Sequence, residues 1–254
     1  MQLLSHFLYA VSLRTFIISG LSIAATATCE YLLIVGDMPM SLIGLAVVFP
    51  LVFSINASFQ RRDEALNQYG KINANLASLY FAHKGWTNSN QADDNFQDIK
   101  KLSLRFLEQL KVDLTNEESP KKLKAEIYKI FGNLSTKNEI FLQKGMPDAH
   151  AIVSSWVNEI MQSYEALSNI SDYRTPKALR AYSKVFLNLF PLIFSPYFAN
   201  LNQDISYMGY LVALIYSVVL VMLSNIQDNV ENPFDNMGLD DIDLDKENRI
   251  KELK

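Results

Sequence analysis

Few residues in this chain are of types that do covalent chemistry. His6, His83 and His150 stand far apart, and none sits in a metal-ligand spacing such as His-Glu-x-x-His. Cys29 is the one cysteine, so no intrachain disulfide can form, and its apolar surroundings make it a packing residue. No Gly-rich phosphate loop, nucleophile elbow or Cys-x-x-Cys pair occurs, and no acid, base and nucleophile fall at a recognisable spacing. Asp241, Asp243, Asp245 and Glu252 match positions 1, 3, 5 and 12 of a calcium loop, but Lys246 stands where that loop needs Gly. We read that count as accidental, and the acidic tail as a solvated segment or a strap over a basic surface. The expectation is no enzyme, no metal and no cofactor.

A spacing with chemical meaning occurs elsewhere, in LAVVFPLVFSINASFQRRDEALNQYG from Leu45 to Gly70. At 100° per residue Leu45, Phe49 and Phe53 fall within about 80° of one another, and Asn56 and Gln60 enter the same sector. One helix face is then apolar above and amide-bearing below. That layout suits a pore with a hydrophobic constriction leading into a wetter vestibule, and it equally suits a helix packing two Phe into a bundle core.

The elements that would position this face are membrane helices. Of 254 residues 49% are hydrophobic and 20% charged, but the apolar ones gather in two blocks, about residues 15–58 and 185–226. Thr15 to Gly36 would form the first span; its 22 residues reach roughly 33 Å, enough for a hydrocarbon core of about 30 Å. Glu30, near its far end, is either a functional intramembrane carboxylate or an interfacial one. After a short break the second span, about Ser41 to Ser58, carries Pro50 and continues past Arg61 and Arg62 without a turn signal. The third, broken by Pro191 and Pro196, follows a basic stretch holding Arg174, Lys177, Arg180 and Lys184; the fourth runs from about Tyr207 to Ile226. Arg14, Arg61, Arg62 and this basic stretch place both termini in the cytoplasm.

Between the blocks the chain reads as soluble helices. Ile99, Leu102, Phe106 and Leu110 form one core stripe, and Ile152, Trp156, Ile160, Tyr164 and Leu167 another, with Asp148 as N-cap. Ser119-Pro120 and Thr175-Pro176 offer cap and first-turn Pro for two more helices. The fold class is all-α: four transmembrane helices plus a helical cytoplasmic region. The domains are 1–60 (first two spans), 61–178 (cytoplasmic helices), 179–227 (last two spans) and 228–254 (acidic tail). A formal charge of −4 and no basic stripe away from the membrane ends exclude nucleic acid as a main partner.

Three ordered motifs resemble the bestrophins, in particular their bacterial members. Phe53-Ser-Ile-Asn56-Ala-Ser-Phe59-Gln-Arg61-Arg-Asp-Glu64-Ala65, followed by Tyr69-Gly70, is similar to the family's Phe-Arg-Thr-Asn-x-x-Tyr-x-Arg-Trp-x-Glu-Ala and Trp-Gly. Tyr173-Arg-Thr175-Pro176 to Tyr182 resembles the segment before its third span. Glu231-Asn232-Pro233-Phe234-Asp235 and the later acidic residues resemble its tail. The chain departs from the pattern at Ser54 (usually basic), Arg62 (usually Trp), Ala77 (usually Arg) and Asp243 (usually Pro in the bacterial tail).

The resemblance implies a homopentamer in the bacterial inner membrane around one axial pore, in contact with lipid and permeant ions. It makes Leu45, Phe49 and Phe53 the neck, places a second constriction near Ile152, and assigns motif roles to Arg61, Glu64, Gly70, Pro176, Asn232, Pro233 and Phe234. Met237 falls at an acidic ligand of the animal calcium clasp, so calcium activation is not expected. The implied function is a channel for small ions, chloride or other anions first and cations second. The alternative is a non-conducting four-span adaptor presenting a helical protein-binding domain; it requires the stripe on the second span to face helices of its own subunit.

Overall fold

The structure, a computed structural model, describes residues 11–37, 40–87, 93–116, 121–173, 177–235, 238, 241–246 and 248–252. Among them the regular elements are α1 (Leu13–Tyr31), α2 (Met40–Gly85), α3 (Asp93–Thr115), α4 (Lys121–Gln143), α5 (Pro147–Asp172), α6 (Lys177–Ile193), α7 (Ser195–Asp204), α8 (Met208–Val230) and a 3₁₀ turn at Arg249–Glu252. The all-α expectation holds for the described residues. Pro50 does not end α2, which runs 46 residues, about 69 Å at 1.5 Å per residue. The chain divides into two compact units, one of residues 1–60 and 174–232, the other of 61–173 and 233–254.

In the first unit α1 turns Thr15, Ser19, Ser22 and Thr26 inward. Small hydroxyl residues at helical spacing let α1 approach α6 and α8 closely, and the hydroxyls of Ser22 and Thr26 bond backbone carbonyls, whereas Ser19 Oγ is buried with no hydrogen-bond partner among the described residues. Ser22 Oγ–H donates to Pro191 O at 2.8 Å, and Thr26 Oγ1–H to Ser22 O at 2.8 Å. The core is a ladder of Phe186, Phe190, Phe194 and Phe198, with successive ring centroids 5.2, 5.5 and 6.4 Å apart, capped edge-on by Tyr216. The ladder crosses the α6–α7 break because Phe194 N–H still reaches Phe190 O (3.0 Å) and Phe198 N–H still reaches Phe194 O (3.0 Å).

At the next corner Tyr207 adopts φ +68°, a strained conformation for a non-glycine residue. It delivers Gly209 so close to α7 that a Cβ there would lie 1.9 Å from Phe198 O.

In the second unit the later turns of α2 bury Ala65, Tyr69, Ile72, Leu76, Leu79 and Tyr80 against α3, α4 and α5. Ile99, Phe106 and Leu110 are fully buried and Leu102 packs beside them, as the helical spacing requires. On α5 the buried line begins one residue later than expected, at Val153 and Val157, before joining Ile160, Tyr164 and Leu167. Pro147 is the first helical residue of α5 and Met146 precedes it as N-cap, so Asp148 is not the cap; its carboxylate sits in the first turn. Trp86 and Trp156 face each other at 5.8 Å, beside Phe141 and His83. The end of the chain folds back as a strap: Phe234, Ile242, Leu244 and Ile250 join the core, and Tyr69 Oη–H donates to Leu244 O at 2.8 Å.

The apolar helices differ from the expected spans in their ends. α1 stops at Tyr31 instead of reaching Gly36, and the Pro-broken third segment is two helices, α6 and α7. Among the described residues α8 is the helix both long and apolar enough to cross a membrane on its own, with mean hydropathy 2.0. Residues such as Ser119, Pro120, Thr175 and Pro176, read from sequence as caps and first turns, lie outside the described residues.

Candidate functional site

The face of α2 singled out by its spacing is open. Leu45, Phe49 and Phe53 are 54, 50 and 65% exposed, and Asn56 and Gln60 are exposed below them. The Phe49 and Phe53 rings lie 6.1 Å apart, tilted by 31°. The opposite side of the same helix is packed: Leu51 belongs to the buried core with Ile55 against it, and Ser54 and Ser58 are buried. The two Phe side chains therefore do not belong to the core of this unit. What this face offers chemically is a strip of aliphatic and aromatic surface followed by two amides, each able to present a donor or an acceptor.

Ser54, at a position where a basic residue was expected, points away from this strip. Its Oγ accepts a hydrogen bond from Gln227 Nε2 on α8 at 2.9 Å. A serine here closes a buried polar pair inside the bundle.

The remaining expected positions are dispersed. Arg61 gives an Nη1–H to Tyr173 O at 3.5 Å, and Glu64, exposed, accepts from Gln68 Nε2 at 2.5 Å one turn on. Gly70 has open space where a Cβ would stand and lines a cavity of about 280 Å³ with Tyr69, Asn73 and Arg249. Ile152 is 46% exposed on α5, off the buried line. Asn232 is buried, Pro233 O accepts from Ile242 N–H at 2.8 Å, and Phe234 is 1% exposed in the core. Pro176 and Met237 lie outside the described residues.

In the acidic tail Asp241, Asp243 and Asp245 are spent on the tail's own turn and on α3. Asp241 Oδ2 accepts from Gly238 N–H, and Asp243 Oδ1 from the N–H groups of Asp245 and Lys246, at 2.9–3.1 Å. Asp245 bonds Lys111 and also Lys251; the Lys111 hydrogen bond holds its carboxyl below the usual range, and the same bond raises Lys111. Among the described residues no group of three His, Cys, Asp or Glu side chains could hold a metal ion.

Sequence reasoning left Glu30 open and missed its partners. Its Oε2 accepts from Tyr210 Oη at 2.6 Å and from Asn202 Nδ2 at 2.7 Å, and Asn202 Oδ1 accepts from Gly209 N–H at 2.7 Å. The polar Asn202-Gln203 break just before Gly209-Tyr210 was the signal that could have found them.

The family model described as Bacterial/Fungal Bestrophin protein matches residues 2–187, well over half of the chain. No curated protein matches. Among solved structures the chain is similar to a bacterial bestrophin homologue from Klebsiella pneumoniae, at 18% identity and TM-score 0.79, covering 94% of this chain and 95% of that one. A single-substitution variant of that homologue gives TM-score 0.80 with the same identity and coverage. Another solved structure, of a membrane protein, likewise gives 0.80 at 18% identity. At that identity the structures establish a shared fold, and the family match carries the assignment: the chain belongs to the bacterial/fungal bestrophin family.

Proposed function

We propose that the chain is a bestrophin-type ion channel: a multi-pass protein of the inner membrane with both termini cytoplasmic, four spans per subunit and five subunits around one pore. The observation that carries this reading is the open face of α2. An apolar strip that its own subunit leaves uncovered, on a helix whose opposite side is packed at Leu51, Ser54 and Ser58, suits a surface repeated around an axis. Rings of Leu45, Phe49 and Phe53 then form a neck that gates by dewetting or widening, and Asn56 and Gln60 supply amide dipoles below it. A second constriction at Ile152 fits that side chain's exposure. Anions, chloride foremost, are the leading permeant class, with cations the competing one, because amides can turn either dipole end to an ion.

The test is single-channel recording in planar bilayers. Phe49→Ala/Phe53→Ala should raise conductance, and in asymmetric sodium chloride the wild-type reversal potential should lie toward the chloride equilibrium value. Unchanged conductance and gating in the double variant would remove these residues from the neck. A purified monomer without ion flux in liposomes would favour the adaptor reading.

A further inference from the structure

A groove of about 410 Å³ runs between α1 and α6, lined by Ile18, Lys184, Val185, Asn188, Leu189 and Leu192. We propose that it is a binding site for one acyl chain of an anionic phospholipid, with the phosphate held by Arg14 and Lys184. The inference rests on the membrane-spanning reading above, though not on ion conduction.

The groove has the polarity of a phospholipid. Along α6, residues 184 to 192 rise about 12 Å, with the ammonium at one end and Leu189 and Leu192 at the other. On the α1 side Arg14 lies one turn before Ile18, and its Nε–H donates to Asn188 Oδ1 at 2.9 Å. That bond fixes the guanidinium at the Lys184 end of the groove while using one of the five donors such a group carries. Lys184 is also bound, to Asp228 Oδ1 at 2.9 Å, and Arg180 pairs with Glu231 at 3.3 Å. Three cations against two carboxylates leave this end net positive.

The groove's own lining is apolar and open: Val185 is 57% and Leu189 45% exposed. Such a surface suits hydrocarbon, and a basic pocket between spans on the cytoplasmic side suits a phosphate. A free phosphate would satisfy the cations but leave the apolar length of the groove unused.

Native mass spectrometry of the detergent-purified oligomer tests this, with dioleoylphosphatidylglycerol and dioleoylphosphatidylcholine added in equal amounts. Wild type should retain phosphatidylglycerol with a preference of roughly fivefold, two basic groups acting against one nearby carboxylate. Arg14→Gln/Lys184→Gln should bring the ratio near unity, while Arg14→Lys should keep most of it. Leu189→Trp should fill the groove and lower retention of both lipids with the oligomer intact. Equal retention by wild type, an unchanged ratio in the double variant, or displacement by glycerol 3-phosphate as effective as by lipid would each overturn the proposal. So would loss of the oligomer in Leu189→Trp at an unchanged lipid ratio, which assigns the groove to a second copy of the chain. Flux from phosphatidylcholine vesicles, measured in parallel, separates the two readings: a conducting protein without lipid preference refutes the site and leaves the channel standing.

Discussion

His83 is a buried titratable group that the proposed pore does not use. Its Nε2 bonds Asn138 Oδ1 at 2.9 Å and its Nδ1 bonds Asn95 Nδ2 at 3.1 Å, so with these amide orientations the neutral ring has a donor and an acceptor each matched. Burial lowers its pKa below the usual 6.5; the Asn138 bond opposes that, and the Lys137 charge adds to it. The sign follows: below pH 6.5 the unfolded chain takes up a proton that the folded chain resists, so stability falls as pH falls through that window. The slope from this one group cannot exceed about 1.4 kcal/mol per pH unit. Denaturant titrations at pH 7.5, 6.5 and 5.5 should show His83→Gln less acid-sensitive than wild type; an identical pH profile would remove His83 as the cause. At the same scale Ser54 shows what one sequence hides. Its helix position was legible, but whether its hydroxyl met ions or Gln227 depended on α8, which lies more than 150 residues away in the chain.

Among the elements, the α7–α8 corner and the C-terminal strap make opposite demands. At Gly209 there is no room for a methyl group, and the clash is with backbone, which cannot swing aside. Gly209→Ala should therefore cost more than about 2 kcal/mol, read as a lowered Tm of the detergent-solubilised protein. The strap is held by burial. Leu244→Ala should cost about 2–4 kcal/mol, whereas Lys111→Ala, which removes only an exposed ion pair, should leave the melting temperature within error of wild type. If Lys111→Ala were the more damaging change, charge and not apolar contact would anchor the strap. Helical periodicity made the α3 stripe and most of the α5 stripe legible, because 3.6-residue spacing survives any tertiary arrangement. It misplaced Ile152 by one position, where Val153 presents an equally apolar side chain to the core. It also missed Gly209, since a glycine in apolar sequence looks the same whether or not a neighbour presses against it.

For the molecule as a whole, the open strip on α2 sets the expectation about assembly. Purified in mild detergent, the wild-type protein should run as a pentamer by mass photometry or native mass spectrometry. A monomer at micromolar concentration would leave Leu45, Phe49 and Phe53 without the symmetry partners a neck requires. The sequence conveyed the class of fold and the strip, both local patterns; only the folded chain could tell that the strip was uncovered. The tryptophan pair has a bearing on how such experiments are read. Trp86 and Trp156 are the chain's two tryptophans, and both belong to the helical unit of residues 61–173. Indole emission thus witnesses that unit alone and is blind to α1, α6, α7 and α8. A melt followed by fluorescence and one followed by far-UV circular dichroism interrogate different parts of the molecule, so disagreement between them would time the two units separately.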